Sequence, residues 1–276
     1  MFLWGMSWPT SKILSSYANV EFVVLWRFFF VLVGSLPILL CLKISLKISK
    51  KTLKWLFIAG GLNALYAFTF FLALCYGTAG KGGVLVTTMV PIFSYLFLFL
   101  GFKKSYKLSK YEIFGLFIGI ISGLFLLNLN SFEELFGFNV LFLLCAFIWA
   151  LMSLCTHKTK GEHPLAVNFY VNFISFLLFT PLFLNDESFF ILEADMKFWL
   201  NMFVVAFLST VVGTSIYYYG IHILGSVRAN SFILITPASA LLTSFLILNE
   251  VPTTLTLVGG ALAIVAIYFM GKKGKA

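Results

Sequence analysis

The chain has 276 residues, of which 61% are hydrophobic, 18% aromatic and only 11% charged, with a net charge of +9 and a mean hydropathy of +1.02. A soluble domain carries charge on about 25% of its residues, so there is too little charge here to coat a water-facing surface, whereas a bundle solvated by lipid needs polar residues only in its loops. The positive balance does not point to nucleic acid, because the lysines fall in short clusters between apolar runs and form no basic face.

Apolar runs of spanning length, with short polar breaks, predict helices over 1–17, 20–42, 53–75, 78–101 and 111–129, then 136–156, 164–184, 197–222, 226–249 and 253–271. The breaks fall at Asn19, Lys50 to Thr52, Gly77, Asn128 to Asn130, Pro164, Asn185 and Asp186, Gly225 and Pro252. A helix opening at Pro164 uses proline where the missing N–H has no helical partner to lose. Cys41, Cys75, Cys145 and Cys155 lie in or beside apolar runs without CxxC spacing, and read as small core residues. The first apolar stretch lacks the basic start and small-residue site of a cleaved leader. Seventeen helical residues reach roughly 25 Å, short of the roughly 30 Å hydrocarbon core, so helix 1 is expected either to be short or to begin upstream.

Charge fixes an orientation. Lys43, Lys47, Lys50, Lys51 and Lys54 lie in the second break, and Lys103, Lys104, Lys107 and Lys110 in the fourth. Lys158 and Lys160 follow in the sixth, Arg228 in the eighth, and Lys272, Lys273 and Lys275 in the tail. With ten alternating spans all of these share one side, and only Lys81 and Lys197 depart. The positive-inside rule then places both termini in the cytoplasm of a cell inner (plasma) membrane protein.

The chain also repeats. The segment LALCYGTAGKGGVLVTTMVPIFSYLFLFLGF (72–102) resembles YYGIHILGSVRANSFILITPASALLTSFLILNE (218–250), with Pro91 opposite Pro237. Each is followed by a glycine-rich last helix, at 115–127 and 259–271. The unit is five helices, and an odd number makes the second copy enter from the opposite face. The expected fold is an all-α membrane protein of ten transmembrane helices in two inverted five-helix repeats, 1–130 and 135–272. Such repeats typically form an alternating-access transporter with its site near the midplane.

Three stretches carry a family resemblance. LWGMSWPTSKIL (3–14) is similar to the opening helix of EamA-type proteins of the drug/metabolite transporter superfamily, and LWRFFF (25–30) to their second helix. ILITPASALLTSFLILNEVPTTLTLVGGALAIVAIYF (233–269) resembles the proline, glutamate and double-glycine ending of their second repeat. The resemblance covers essentially the whole chain. It implies two EamA repeats and transport, often export, of amino acids, sugars, nucleotide sugars or amphipathic compounds. One departure stands out: where the family has a glutamate after helix 4, matching Glu250 after helix 9, this chain reads GFKKSYKLS, with Lys104 or Tyr106 at the equivalent place.

The candidate site follows from polar residues in apolar helices. Trp8, Asn63, Tyr66, Thr87, Thr214, Tyr218 and Asn230 are expected to converge on one substrate cavity, with Trp4, Ser11, Phe70 and Thr210 on the same stripes. Small hydroxyl residues also serve helix packing, but buried amides such as Asn63 and Asn230 need several partners. Lys12 either snorkels at the end of helix 1 or contacts substrate. Arg27 lies two turns into helix 2, too deep to reach water easily, and a structural partner such as a helix-end carbonyl, Glu21 or Glu250 is the expected reading. Glu250 is read as a cap for helix 10 rather than a proton-coupling carboxylate, and His222 as a loop histidine. Pro91 and Pro237 mark matched hinge positions.

Rival classes are an intramembrane acyl or prenyl transferase, a channel, or a non-transporting sensor on the same fold. The first would need a carboxylate pair or HExxH, and the nearest match, His157 with Glu162, falls in a loop. No cofactor is expected. The expected partners are a small-molecule substrate and the lipid bilayer, and a homodimer is compatible with the sequence.

Overall fold

The computed structural model describes residues 1–97, 109–127, 138–159, 161–217 and 235–271, and the secondary structure among them is helical throughout. The first half holds α1 (Phe2–Leu14), α2 (Val20–Cys41), α3 (Lys50–Tyr76), α4 (Ala79–Phe97) and α5 (Lys110–Leu127). The second holds α6 (Phe138–His157), α7 (Pro164–Phe179), α8 (Met196–Tyr217), α9 (Ile235–Leu248) and α10 (Thr254–Gly271). Tyr218, His222 and Asn230 lie outside the described residues.

Local chemistry sets the ends. Ser109 and Glu112 form a reciprocal capping box at α5: Glu112 Oε2 accepts from the Ser109 amide at 2.7 Å and Ser109 Oγ from the Glu112 amide at 3.2 Å. Asp195 caps α8 through the Phe198 amide at 2.8 Å. The helical run from Pro164 reaches Leu184, but it leaves α-geometry at Phe179 and tightens into a 3-10 turn, Thr180–Leu184, at Pro181. At the end of α9, Asn249 takes a left-handed conformation (φ 54°) and the Glu250 amide bonds back to the Ser244 carbonyl. That turn aims Glu250 back at the bundle.

Among the described residues, five helical segments are long and apolar enough to cross a membrane by length and composition: Val20–Cys41, Lys50–Tyr76, Asn139–Thr156, Pro164–Leu184 and Met196–Tyr217. Thr236–Leu248 and Thr254–Met270 are apolar but shorter. Phe28, Phe71, Phe142 and Phe198 are fully buried, yet Leu40, Phe117, Ile120, Ile216 and Leu246 stand exposed on helix surfaces. A water-soluble monomer rarely shows so much apolar surface; lipid is the solvent that such a surface fits.

The packing obeys an exchange rule. Numbering the helices of each half one to five, α3 packs on α6 as α8 packs on α1, α1 on α9 as α6 on α4, and α3 on α7 as α8 on α2. The pairs α2 with α7, α4 with α9 and α5 with α10 map onto themselves. The α5–α10 pair is very close: a Cβ on Gly115 would sit 2.7 Å from the Ala266 carbonyl oxygen, and Ser122 Oγ donates to the Gly259 carbonyl at 2.7 Å. Small residues admit this approach.

Connections meet at two opposite ends. At one, Tyr17 donates to Asp195 Oδ1 at 2.7 Å, Asn19 to Glu187 Oε2 at 3.3 Å, and Lys12 lies 3.5 Å from Glu250. At the other, the Ser49 amide donates to Glu162 Oε1 at 3.0 Å and Tyr170 to the Leu46 carbonyl at 2.7 Å. Each contact joins one half of the chain to the other. Glu162, expected as a solvated loop residue, is thus a tie between loops, and the Ser49 amide holds its carboxyl below the usual range.

Candidate substrate cavity

A cavity of about 170 Å³ lies where the two halves meet. Helix α1 contributes Trp4, Ser7, Trp8 and Ser11, at the spacing that puts side chains on one face. Gly5, between the two tryptophans, lets that helix seat on α9: a Cβ there would lie 2.1 Å from Ser239 Oγ. Helix α3 adds Asn63, Tyr66 and Phe70, α4 adds Thr87 and Pro91, and α8 adds Thr210 and Thr214.

Aromatic rings form one wall. Tyr66 stacks on Phe70 (5.8 Å, 20°) and meets Trp149 edge-on at 4.8 Å; Trp8 meets Phe70 at 4.8 Å, and Trp4 meets Trp149 at 6.4 Å. Such pairs hold one another's orientation as well as burying area.

Amides and hydroxyls make another part. Asn63 Nδ2 donates to Ser175 Oγ at 2.9 Å, and that hydroxyl lies 2.9 Å from the Gly60 carbonyl and 2.8 Å from that of Val171. Asn172 Nδ2 donates to the Asn168 carbonyl at 2.8 Å. The Thr87 hydroxyl donates to the Gly83 carbonyl of its own helix at 2.6 Å, which leaves its lone pairs toward the cavity.

Arg27, on α2, faces the same space. Among the described residues its Nη2 makes one long contact, 3.4 Å, to Thr210 Oγ1, and its Nε and Nη1 are buried without a hydrogen-bond partner. The ring of Phe28 lies 5.5 Å from the guanidinium carbon. The expected carboxylate or helix-end carbonyl is not among its partners. Glu250 is occupied elsewhere: its two oxygens accept from the amides of Ala79 (3.0 Å) and Gly80 (2.9 Å) and meet Lys12. It therefore caps α4, in the other half of the chain, instead of α10. Lys12 also donates to the Gly77 carbonyl, so it ties the α3–α4 turn to Glu250 and does not line the cavity. Pro237 is buried in α9 away from the lining, whereas Pro91 is part of it.

Of the proposed contact residues, Trp8, Asn63, Tyr66, Thr87 and Thr214 thus share the cavity; Lys12 does not, and Tyr218 and Asn230 fall outside the described residues. Trp149, Met152 and Thr156 on α6 and Asn168 and Asn172 on α7 complete the wall. The last two carry the signal that singled out Asn63, amides inside an apolar helix, at i and i+4.

Comparisons with known proteins agree with this architecture. A sequence model of the EamA-like transporter family matches residues 1–129 and 138–272. The uncharacterized transporter YdfC of Bacillus subtilis (strain 168) is 26% identical over 276 residues, covering 97% of this chain and 87% of that protein. One solved crystal structure superposes with a TM-score of 0.64 at 17% identity, over 98% of this chain and 94% of the other.

Proposed function

This chain belongs to the EamA-like transporter family, matched in both halves, and from that membership we propose that it carries small metabolites across the plasma membrane by alternating access. It is a multi-pass membrane protein of the drug/metabolite superfamily. In the proposed reading ten helices span the bilayer, the two five-helix repeats are inverted, and both termini face the cytoplasm.

The observation that carries the proposal is the cavity's place: residues of α1, α3 and α4 and residues of α6, α7 and α8 line one space between the halves. A site shared by two repeats changes its access when one rocks against the other. The exchange rule in the packing supports that motion, because the pairs named above each have an equivalent or are their own; the α4–α10 contact stands outside the rule.

Purified protein in liposomes, offered labelled amino acids, sugars and organic ions, should give saturable flux above protein-free vesicles. Asn63→Ala and Tyr66→Ala should each lower it at unchanged protein content. Flux no greater than that of empty vesicles for every class of solute would end the transporter reading. Reporter fusions after Lys51, Lys110, Lys158 and Lys273 should all report cytoplasm; a periplasmic signal after Lys110 would break the inverted arrangement.

A further inference from the structure

We propose that the cavity selects a monoanion: a small carboxylate with a planar apolar body, its carboxylate on Arg27 and its body among Trp4, Trp8, Tyr66, Phe70 and Trp149. The proposal rests on the transporter reading of this cavity and narrows its substrate class.

Charge balance is the first argument. Among the described residues that line the cavity, Arg27 is the one charged side chain, and no aspartate or glutamate stands with it. The ion pair among described residues joins Lys12 to Glu250, outside the lining. A cationic solute would meet uncompensated positive charge, a neutral one would leave that charge unanswered, and a dianion would bring one charge too many.

Donor geometry is the second. A guanidinium presents five N–H groups in a planar fork. Among the described residues Nε and Nη1 are buried with no partner, and the single contact of Nη2 is long. Thr210, whose hydroxyl proton goes to the Val205 carbonyl at 2.9 Å, offers Nη2 an oxygen lone pair but no charge to answer the cation. The contact with Phe28 answers the charge in part but takes none of these donors. Each parallel N–H pair of a guanidinium includes Nη2, so a carboxylate that replaces the long Thr210 contact meets one of those pairs.

The aromatic wall is the third. Rings in mutual edge and stacked contact offer flat faces and little freedom to rearrange, which suits a planar apolar body more than a polyhydroxylated one. The competing account is water: the space could hold on the order of ten molecules, and these alone could hydrate Arg27 without any preference between solutes.

Three probes of one shape separate these accounts: phenylacetate, phenylacetamide and phenethylamine, an anion, a neutral isostere and a cation. Binding to the detergent-solubilised protein is read by tryptophan fluorescence, with thermal unfolding as a second readout. Phenylacetate should bind at least about tenfold more tightly than the amide, and the amine should bind least. Arg27→Gln should remove the preference, so that anion and amide bind alike, while Arg27→Lys should keep part of it. Equal binding of anion and amide by the wild type, tighter binding of the amine, or no binding of phenylacetate would each overturn the proposal. The wild-type comparison stands whether or not a variant folds. Flux of cations but not of carboxylates in liposomes would sink this inference and leave the transporter reading intact. Anion-selective binding without flux of any solute would do the reverse.

Discussion

Glu250 holds three groups: the α4 amides of Ala79 and Gly80, and the ammonium of Lys12. Removing the carboxylate orphans two N–H groups at once, each worth about 1–3 kcal/mol when buried. Glu250→Ala should therefore lower the unfolding temperature clearly. Lys12→Met, which keeps the apolar stem and leaves both amide bonds in place, should cost less, about 1 kcal/mol or below for a partly exposed pair. Thermal unfolding of the two variants in detergent tests this ranking; a larger loss from Lys12→Met would mean that the ammonium, and not the carboxylate, organises the turn. The site of Asn63 was legible because an amide inside an apolar helix must have partners. The role of Glu250 was not: the amides that it accepts from lie 170 or more residues away in sequence, and only the left-handed turn at Asn249 turns it toward them. The same holds for Arg27, whose depth in α2 could be read but whose lack of a carboxylate partner could not.

Adjacent glycines on α3 allow a controlled comparison. A Cβ on Gly60 would lie 2.5 Å from the Ile174 side chain, and the Gly60 carbonyl already accepts from Ser175; a Cβ on Gly61 would meet nothing within 4 Å. Gly61→Ala should be neutral or stabilise by about 0.5–1 kcal/mol through helix propensity. Gly60→Ala should destabilise, by about 1–3 kcal/mol, through overpacking against α7. Equal effects from the two substitutions, measured by thermal unfolding, would show that the α3–α7 contact yields freely. Element boundaries in the apolar sequence were legible to within a few residues, because capping residues and prolines mark them. The interior of α8 was not. Residues Phe203–Gly213 form a π-helix, along which the Thr210 hydroxyl also donates to the Val205 carbonyl five residues back. This wider turn brings Val205 and Ser209 into the cavity beside Thr210 and Thr214; a 3.6-residue period does not foresee that, and such segments gather at functional sites.

At the scale of the molecule, ties between the halves sit at both ends, and the tie between Tyr17 and Asp195 shifts both of its titratable groups. Burial and the hydrogen bond to Asp195 push the Tyr17 phenol up to about 12 from its usual 10.0, and the same bond holds Asp195 below its usual 3.8. A depressed carboxylate lends stability that is present above its unfolded value and lost as pH falls through the lower folded one; a raised phenol lends stability that fades as pH climbs from 10.0 toward about 12. The tie is therefore at full strength between those limits. The difference in unfolding temperature between wild type and Tyr17→Phe should be level from about pH 5 to pH 9 and shrink in acid below about pH 4. A difference that persists unchanged at lower pH would show that the phenol does not need the charge. The five-helix unit was legible because Pro91 and Pro237 align and the charge clusters alternate. The contacts that tie the halves were not, since single hydrogen bonds between remote loops leave no periodic trace.

A lone cation in such a cavity has an electrical consequence. In the proposed alternating-access cycle, Arg27, the one cation among the described lining residues, takes the cytoplasmic potential when the cavity opens inward and the external one when it opens outward. Moving one charge through the full field is worth about 2.3 kcal/mol per 100 mV, so an interior-negative potential should draw the empty carrier back to its inward-open form. With a monoanion bound the site is neutral and the loaded step should ignore the field. Each outward cycle then exports one negative charge, down the potential, and the voltage-sensitive stroke is the empty return. In liposomes clamped by a potassium gradient, phenylacetate efflux should quicken as the interior becomes more negative; in Arg27→Gln the empty return becomes neutral and the field acts on the loaded step, so the transient charge movement of the empty carrier should vanish. A charge movement that persists in the empty variant would place the moving charge elsewhere in the protein.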